Sequence, residues 1–210
     1  MLKQRKAFIW DLDGTLLDSY EIIVSSLQKT YQEYGIQTDK ENVHRHVIRY
    51  SVSSFIQRME EETGIPFAVM KDRYSEISRK EIAHIPAVPH AKEILEYLSE
   101  CGAENYVFTH RGKSTAQVLK SLGLYDFFLE IITSQDGFPR KPEPDAIRYL
   151  LEKYSLDRDK TFYVGDRSLD MECAKNAGIH RVLFLPPNGY GEPSGMEEYI
   201  ITDLMDVASL

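Results

Sequence analysis

Five short apolar runs, at 7–10, 105–108, 131–133, 162–164 and 182–185, constrain this chain more than any other feature. Each is only a few residues long and apolar almost throughout, as strands buried on both faces of a parallel sheet must be. Between the later runs the apolar residues fall at helical spacing: Ile94, Leu95 and Leu98; Val118, Leu119 and Leu122; Ile147, Leu150 and Leu151. Alternating strands and helices predict an α/β core built on a parallel sheet. Gly123 and Gly178 stand where helix C-caps are expected. Ligand sites of such a sheet lie at the strand C-termini, so the residues that follow each run carry the functional argument.

The first run is separated from the second by a stretch with a different pattern. From about 19 to 83, β-branched alternation is nearly absent, and amphipathic helical sets take its place: Ile22, Ile23 and Leu27; Phe55, Ile56 and Met59; Val69, Met70 and Ile77. This predicts an all-helical insert. Pro86 and Pro89 cannot continue a helix and favour an extended connection back to the core. The expected organisation is a core of 1–18 and 85–210 with a helical cap domain of 19–84.

Several function classes are disfavoured by composition. A net charge of −8 repels a phosphate backbone, so nucleic acid is not an expected partner. The opening MLKQRKAFIW has only a four-residue apolar run before Asp11, which fits neither a signal peptide nor a membrane span. The expectation is a cytoplasmic protein with no membrane partner, monomeric although a dimer stays open. Cys101 and Cys173 have no second thiol or histidine at metal-ligand spacing, and both read as packing residues.

At the end of the first run, Phe8-Ile9-Trp10-Asp11-Leu12-Asp13-Gly14-Thr15-Leu16 places two carboxylates two residues apart. Period-two geometry points both the same way. The plain alternative is a turn closing a strand, since Asp and Gly are turn residues. Thr109 directly follows the second run, Lys141 lies in Arg140-Lys141-Pro142-Glu143-Pro144, and Gly165-Asp166-Arg167-Ser168-Leu169-Asp170 follows the fourth run. Taken singly, Asp166 reads equally well as a helix N-cap and Lys141 as a solvated loop lysine. Their order along the chain, each at a strand end or between strands, argues for a shared site.

That series resembles the haloacid-dehalogenase superfamily, whose four motifs are Asp-x-Asp-Gly-Thr, a Ser or Thr ending the second strand, a Lys, and Gly-Asp-x-x-x-Asp. The resemblance spans the whole chain and implies a Rossmann-like core with an inserted helical cap, of the phosphoglycolate-phosphatase-like or β-phosphoglucomutase-like branch. It implies a Mg2+-dependent phosphatase acting on a small phosphorylated metabolite, such as phosphoglycolate, a sugar phosphate or a nucleotide monophosphate. Phosphoryl transfer needs a nucleophile, a cation, charge neutralisation and a proton donor. Asp11 is the candidate nucleophile, Asp13 the general acid and base, and Lys141 the neutralising cation. The resemblance implies magnesium held by the carboxylates of Asp11 and Asp166 and the backbone carbonyl of Asp13. Asp170 is either a further ligand or the residue that holds Lys141. Thr109 is the candidate hydrogen-bond donor to a phosphate oxygen.

The chain departs from many relatives after Thr109, where His110, Arg111, Gly112 and Lys113 make an unusually cationic loop. Arg111 and Lys113 are candidate contacts to a second anionic group on the substrate or an offset to the aspartate cluster, with a solvated helix flank as the plain alternative. His110 is a candidate substrate contact through its backbone N–H more than its ring. In the insert, Arg49 and Tyr50 are candidate specificity residues, with a solvated helix face as the plain alternative. Two other functions remain open. A phosphosugar mutase of this type places a His ten residues after the second Asp, where this chain has Ile23. A non-catalytic phosphate-binding scaffold would not need the full motif set. Dehalogenases and phosphonatases of the superfamily lack the second acid, so Asp13 argues for phosphate esters.

Overall fold

A computed structural model describes residues 5–187, 189 and 191–210. The chain divides into two compact units, one of residues 1–18 and 86–210, the other of residues 19–85.

The larger unit is built on six parallel strands: β1 (Ala7–Trp10), β2 (Glu104–Phe108), β3 (Phe128–Ile132), β4 (Thr161–Gly165), β5 (His180–Phe184) and β6 (Tyr199–Ile201), in the order β3-β2-β1-β4-β5-β6. The sheet confirms the α/β core expected from the alternating pattern. β1 lies at its centre because every one of its four residues is buried, which only a strand paired on both sides and covered on both faces can satisfy. Along it, Ala7 and Ile9 join a cluster with Tyr106, Phe108 and Tyr163, while Phe8 and Trp10 alternate to the other face. Helices α7 (Asp145–Lys153) and α8 (Ser168–Ala177) cover the first face with Ile147, Leu150, Leu151, Cys173 and Ala174. On the second face Phe8 stacks on Phe162 with centroids 5.3 Å apart, and the Trp10 indole donates to Asn105 Oδ1 at 3.0 Å. Helix α5 (Ala91–Glu100), packed against β2, and α6 (Thr115–Ser121) complete the unit.

Several expectations are corrected. β5 runs His180–Phe184 instead of 182–185. β3 begins at Phe128 instead of 131 and ends at Ile132. It is an edge strand paired only with β2, and Leu129 is exposed, so its first half lacks the uniformly apolar signature of a central strand. β6 was not anticipated, because it has three residues of which only Ile201 is buried. Cys101 is exposed at the end of α5, whereas Cys173 is buried as expected.

The smaller unit holds α1 (Tyr20–Gln32), α2 (Lys40–Arg49), α3 (Val52–Thr63) and α4 (Phe67–Glu81), followed by a 3-10 turn at Ile82–His84. Asp39 caps α2 by accepting from Asn42 N–H at 2.8 Å, and Ser51 caps α3 by accepting from Ser54 N–H at 3.0 Å. Their inward faces meet in a core of Leu27, Tyr31, Val43, Val47, Phe55, Ile56, Met59 and Met70, where Tyr31 and Phe55 pack edge to face. Val69, expected on the inner face of α4, is exposed, while Met70 and Ile77 are buried. Among the described residues no helix is long and apolar enough to cross a membrane.

Candidate active site

Asp11, Thr109 and Asp166 follow β1, β2 and β4, which are adjacent and parallel, so their C-terminal ends lie side by side. The order of strands reverses at β1, the position at which open α/β sheets form a crevice. The backbone carries the register past the strand ends: Asp11 N–H donates to Val164 C=O at 2.9 Å and Thr109 N–H to Ile132 C=O at 3.0 Å. Beyond Asp11 the chain turns sharply. Leu12 C=O accepts from the N–H groups of Thr15, Leu16 and Leu17, and Gly14 takes φ 86°, a left-handed conformation that disfavours any side chain.

Lys141 reaches this point from the segment between β3 and α7. Its Nζ donates to Asp11 Oδ1 at 2.8 Å and to Asp170 Oδ1 at 2.7 Å, and it lies 5.2 Å from the ring centres of both Phe108 and Tyr163. Burial disfavours the charged ammonium, but Asp11 and Asp170 outweigh it, and the Lys141 pKa stands above its usual value. Burial likewise pushes the Asp11 carboxyl up, against the opposing pull of Lys141. Both oxygens of Asp170 have a partner: Oδ1 takes Lys141, and Oδ2 accepts from Arg167 N–H at 3.1 Å. Gly165 makes room for it, since a Cβ there would lie 2.5 Å from that of Asp170.

The carboxylates of Asp11, Asp166 and Asp170 are all buried and offer oxygens within 4.8 Å of one another. Asp11 Oδ2 has no hydrogen-bond partner among the described residues, although it is buried. Lys141 offsets only part of this negative charge. An orphaned carboxylate oxygen in a hard, all-oxygen donor set fits a divalent cation such as Mg2+.

Asp13 and Arg111 face each other. Arg111 Nε lies 3.2 Å from Asp13 Oδ1, and its Nη2 completes a two-pronged contact with the same carboxylate. The Thr109 hydroxyl accepts from Arg111 N–H at 3.0 Å, which leaves its own proton to donate. His110 engages its ring within the protein: Nε2 lies 2.9 Å from Lys141 N–H and Nδ1 3.0 Å from Arg140 Nη2. Lys113 is exposed. Arg49 and Tyr50 belong to the helical unit, at the end of α2, where the Arg49 guanidinium lies 5.4 Å from the Tyr50 ring and Tyr50 is exposed.

Two partners were not singled out from the sequence. Thr15 donates to Asp166 Oδ1 at 3.3 Å, across 151 residues of chain, and Arg167 contributes the backbone N–H that holds Asp170. Both lie inside the motifs, so their positions were visible although their pairings were not.

The sequence profile of the haloacid dehalogenase-like hydrolases matches residues 8–184, which include every residue of this site. The chain belongs to that family of hydrolases. It is 27% identical over 201 residues to a phosphoglycolate phosphatase of Vibrio parahaemolyticus, covering 90% of this chain and 87% of that protein. It is 25% identical over 209 residues to the pyrophosphatase PpaX of Oceanobacillus iheyensis, covering 98% and 96%. Among solved structures, a hydrolase from Streptococcus pneumoniae superposes with a TM-score of 0.68 at 28% identity, covering 99% of this chain and all of that one.

Proposed function

We propose that this chain is a Mg2+-dependent phosphatase that hydrolyses a small phosphorylated metabolite through an aspartyl-phosphate on Asp11. The observation that carries the reading is the buried Lys141 ammonium 2.8 Å from Asp11 Oδ1, beside an Asp11 Oδ2 that has no hydrogen-bond partner among the described residues. An anionic nucleophile meeting an anionic phosphate needs that cation, and in a desolvated site the attraction is strong.

In the first half-reaction an Asp11 oxygen forms a bond to phosphorus while the bond from phosphorus to the leaving oxygen breaks, and Asp13 gives that oxygen a proton. In the second, water gives a proton to Asp13 and attacks the same phosphorus. The bond to Asp11 breaks, phosphate leaves, and both aspartates return to their starting states. Asp11 and Asp166 would hold Mg2+ with the Asp13 carbonyl, and the ion would supply further charge neutralisation and alignment of the phosphate. With both oxygens engaged by Lys141 and Arg167, Asp170 serves to position the lysine. Thr109 donates its hydroxyl proton to a phosphate oxygen.

Arg111 adds a cation at the acid/base residue. For Asp13 to reach the leaving oxygen the guanidinium must give way, and a second anionic group on the substrate is a suitable new partner for it. Phosphoglycolate and pyrophosphate both carry one, and relatives named for those activities support placing them first in a substrate panel. The test is phosphate release from p-nitrophenyl phosphate and from that panel, with and without Mg2+. Turnover should require the metal and vanish in Asp11→Asn. An Asp11→Asn enzyme with near-normal turnover would refute the reading.

A further inference from the structure

His110 stands between Thr109, the hydrogen-bond donor to phosphate, and Arg111, yet its ring turns toward the segment that carries Lys141. Both ring nitrogens face donors: the Lys141 backbone N–H at 2.9 Å from Nε2, and Arg140 Nη2 at 3.0 Å from Nδ1. A neutral imidazole carries one N–H and one acceptor, so only one of these contacts is a hydrogen bond. The peptide N–H cannot turn away, and leaving it unpaired carries the full desolvation cost of a buried donor. Arg140 lies at the surface on a flexible side chain and can bond to water instead. Nε2 is therefore the acceptor, and Nδ1 carries the proton. Burial, together with the cations Lys141, Arg140 and Arg167, pushes the His110 pKa down to about 2, so the ring stays neutral at any working pH.

The same ring lies edge-on to Phe108, centroids 6.2 Å apart, and Phe108 is one of the two rings beside Lys141 Nζ. Lys141 is thus held at both ends, the ammonium by Asp11 and Asp170 and the backbone by His110. The need is physical, because a lysine side chain is a long, flexible lever and its ammonium must meet one carboxylate oxygen. A displacement of about 1 Å is enough to cost about 100-fold in rate.

We infer that His110 is a positioning residue for Lys141: by accepting the Lys141 backbone N–H at Nε2, it ties the segment between β3 and α7 to the end of β2 and sets the ammonium against Asp11. This rests on the reading of Asp11 and Lys141 as the phosphoryl-transfer pair.

The experiment has three readouts. Long-range proton–nitrogen NMR on the wild-type chain labelled with 15N-histidine should show His110 protonated at Nδ1 and bare at Nε2. In His110→Ala, hydrogen exchange at the Lys141 amide should quicken at least about tenfold, while the β1 and β4 amides keep their protection. Turnover of p-nitrophenyl phosphate with Mg2+ should fall about 10- to 100-fold in kcat with KM within about threefold. His110→Gln, whose amide oxygen is also an acceptor, should recover part of both losses. A proton on Nε2 in the wild-type chain would overturn the inference, and so would unchanged Lys141 exchange or unchanged kcat in His110→Ala. Absence of any turnover by the wild-type chain would instead refute the phosphatase reading, and the tautomer and amide exchange would still decide the role of His110.

Discussion

The site depends on a few side chains whose room is provided by their neighbours. Gly165 is the sharpest case, since a methyl group there would come within 2.6 Å of the Asp170 carboxyl carbon and Oδ2 as well as its Cβ. Gly165→Ala should therefore push Asp170 off Lys141 and reduce kcat by about tenfold or more, with Mg2+ and substrate binding less affected. Full activity with unchanged thermal stability would contradict this. Arg111 makes a different prediction. Arg111→Met should raise KM for pyrophosphate or phosphoglycolate about tenfold more than for p-nitrophenyl phosphate, the scale of one charged hydrogen bond. Equal changes for all three would remove Arg111 from substrate recognition. At this scale motif order pointed to some of the residues that gather at the strand ends, but not to how they pair. Asp11, Lys141 and Asp166 could be placed from strand ends and motif order. The Arg111 contact with Asp13 and the His110 contact with Lys141 join residues 98 and 31 positions apart, and no local pattern encodes them.

Elements were legible in proportion to how fully they are buried. β1, β2 and β4 pair on both sides and read as apolar runs, and their ends carry Asp11, Thr109 and Asp166. The edge strands β3 and β6 bury one side only, so their bounds were misplaced or missed. Helix ends were marked by glycine, and Gly178 closes α8 in the left-handed conformation at φ 70°. A Cβ at Gly178 would meet only the Arg158 Nη1 atom at 3.5 Å, an ordinary contact, so substitution there costs backbone strain alone. Gly178→Ala should lower stability by about 1–2 kcal/mol in urea titration, with no change in kcat. A neutral result would mean that the helix end relaxes to another conformation.

At the scale of the whole chain, the division into a sheet unit and a helical unit was visible as a change of period from the strand pattern to the helix pattern and back. The closure of the C-terminal segment was not, because its contacts, the pairing of β6 with β5, the buried Leu204 and Val207 and a polar pair at the start of α5, join residues far apart in sequence. His90, at the start of α5, meets Asp203 with Nδ1 2.8 Å from both carboxylate oxygens, and Asp203 also caps the final 3-10 segment Leu204–Ser209. The hydrogen bond and charge of Asp203 raise the His90 pKa, and Asp203 is lowered first by the Met205 N–H and then by His90. A histidine whose folded pKa is raised adds stability below its unfolded value, about 6.5, and loses it as pH rises through the folded value. A depressed carboxylate adds stability above about 3.9 and loses it as pH falls through its folded value. The pair should thus act most strongly between about pH 4 and 6.5. His90 sits at φ 64°, so Asn, which tolerates that conformation, is the suitable replacement. His90→Asn should lower Tm at pH 5.5, and the gap from the wild-type chain should shrink by pH 8.5 as the histidine loses its charge in both folded and unfolded chains. Melting curves of the two chains across that range decide it, and a gap that stays constant with pH would mean that the contact contributes shape without charge.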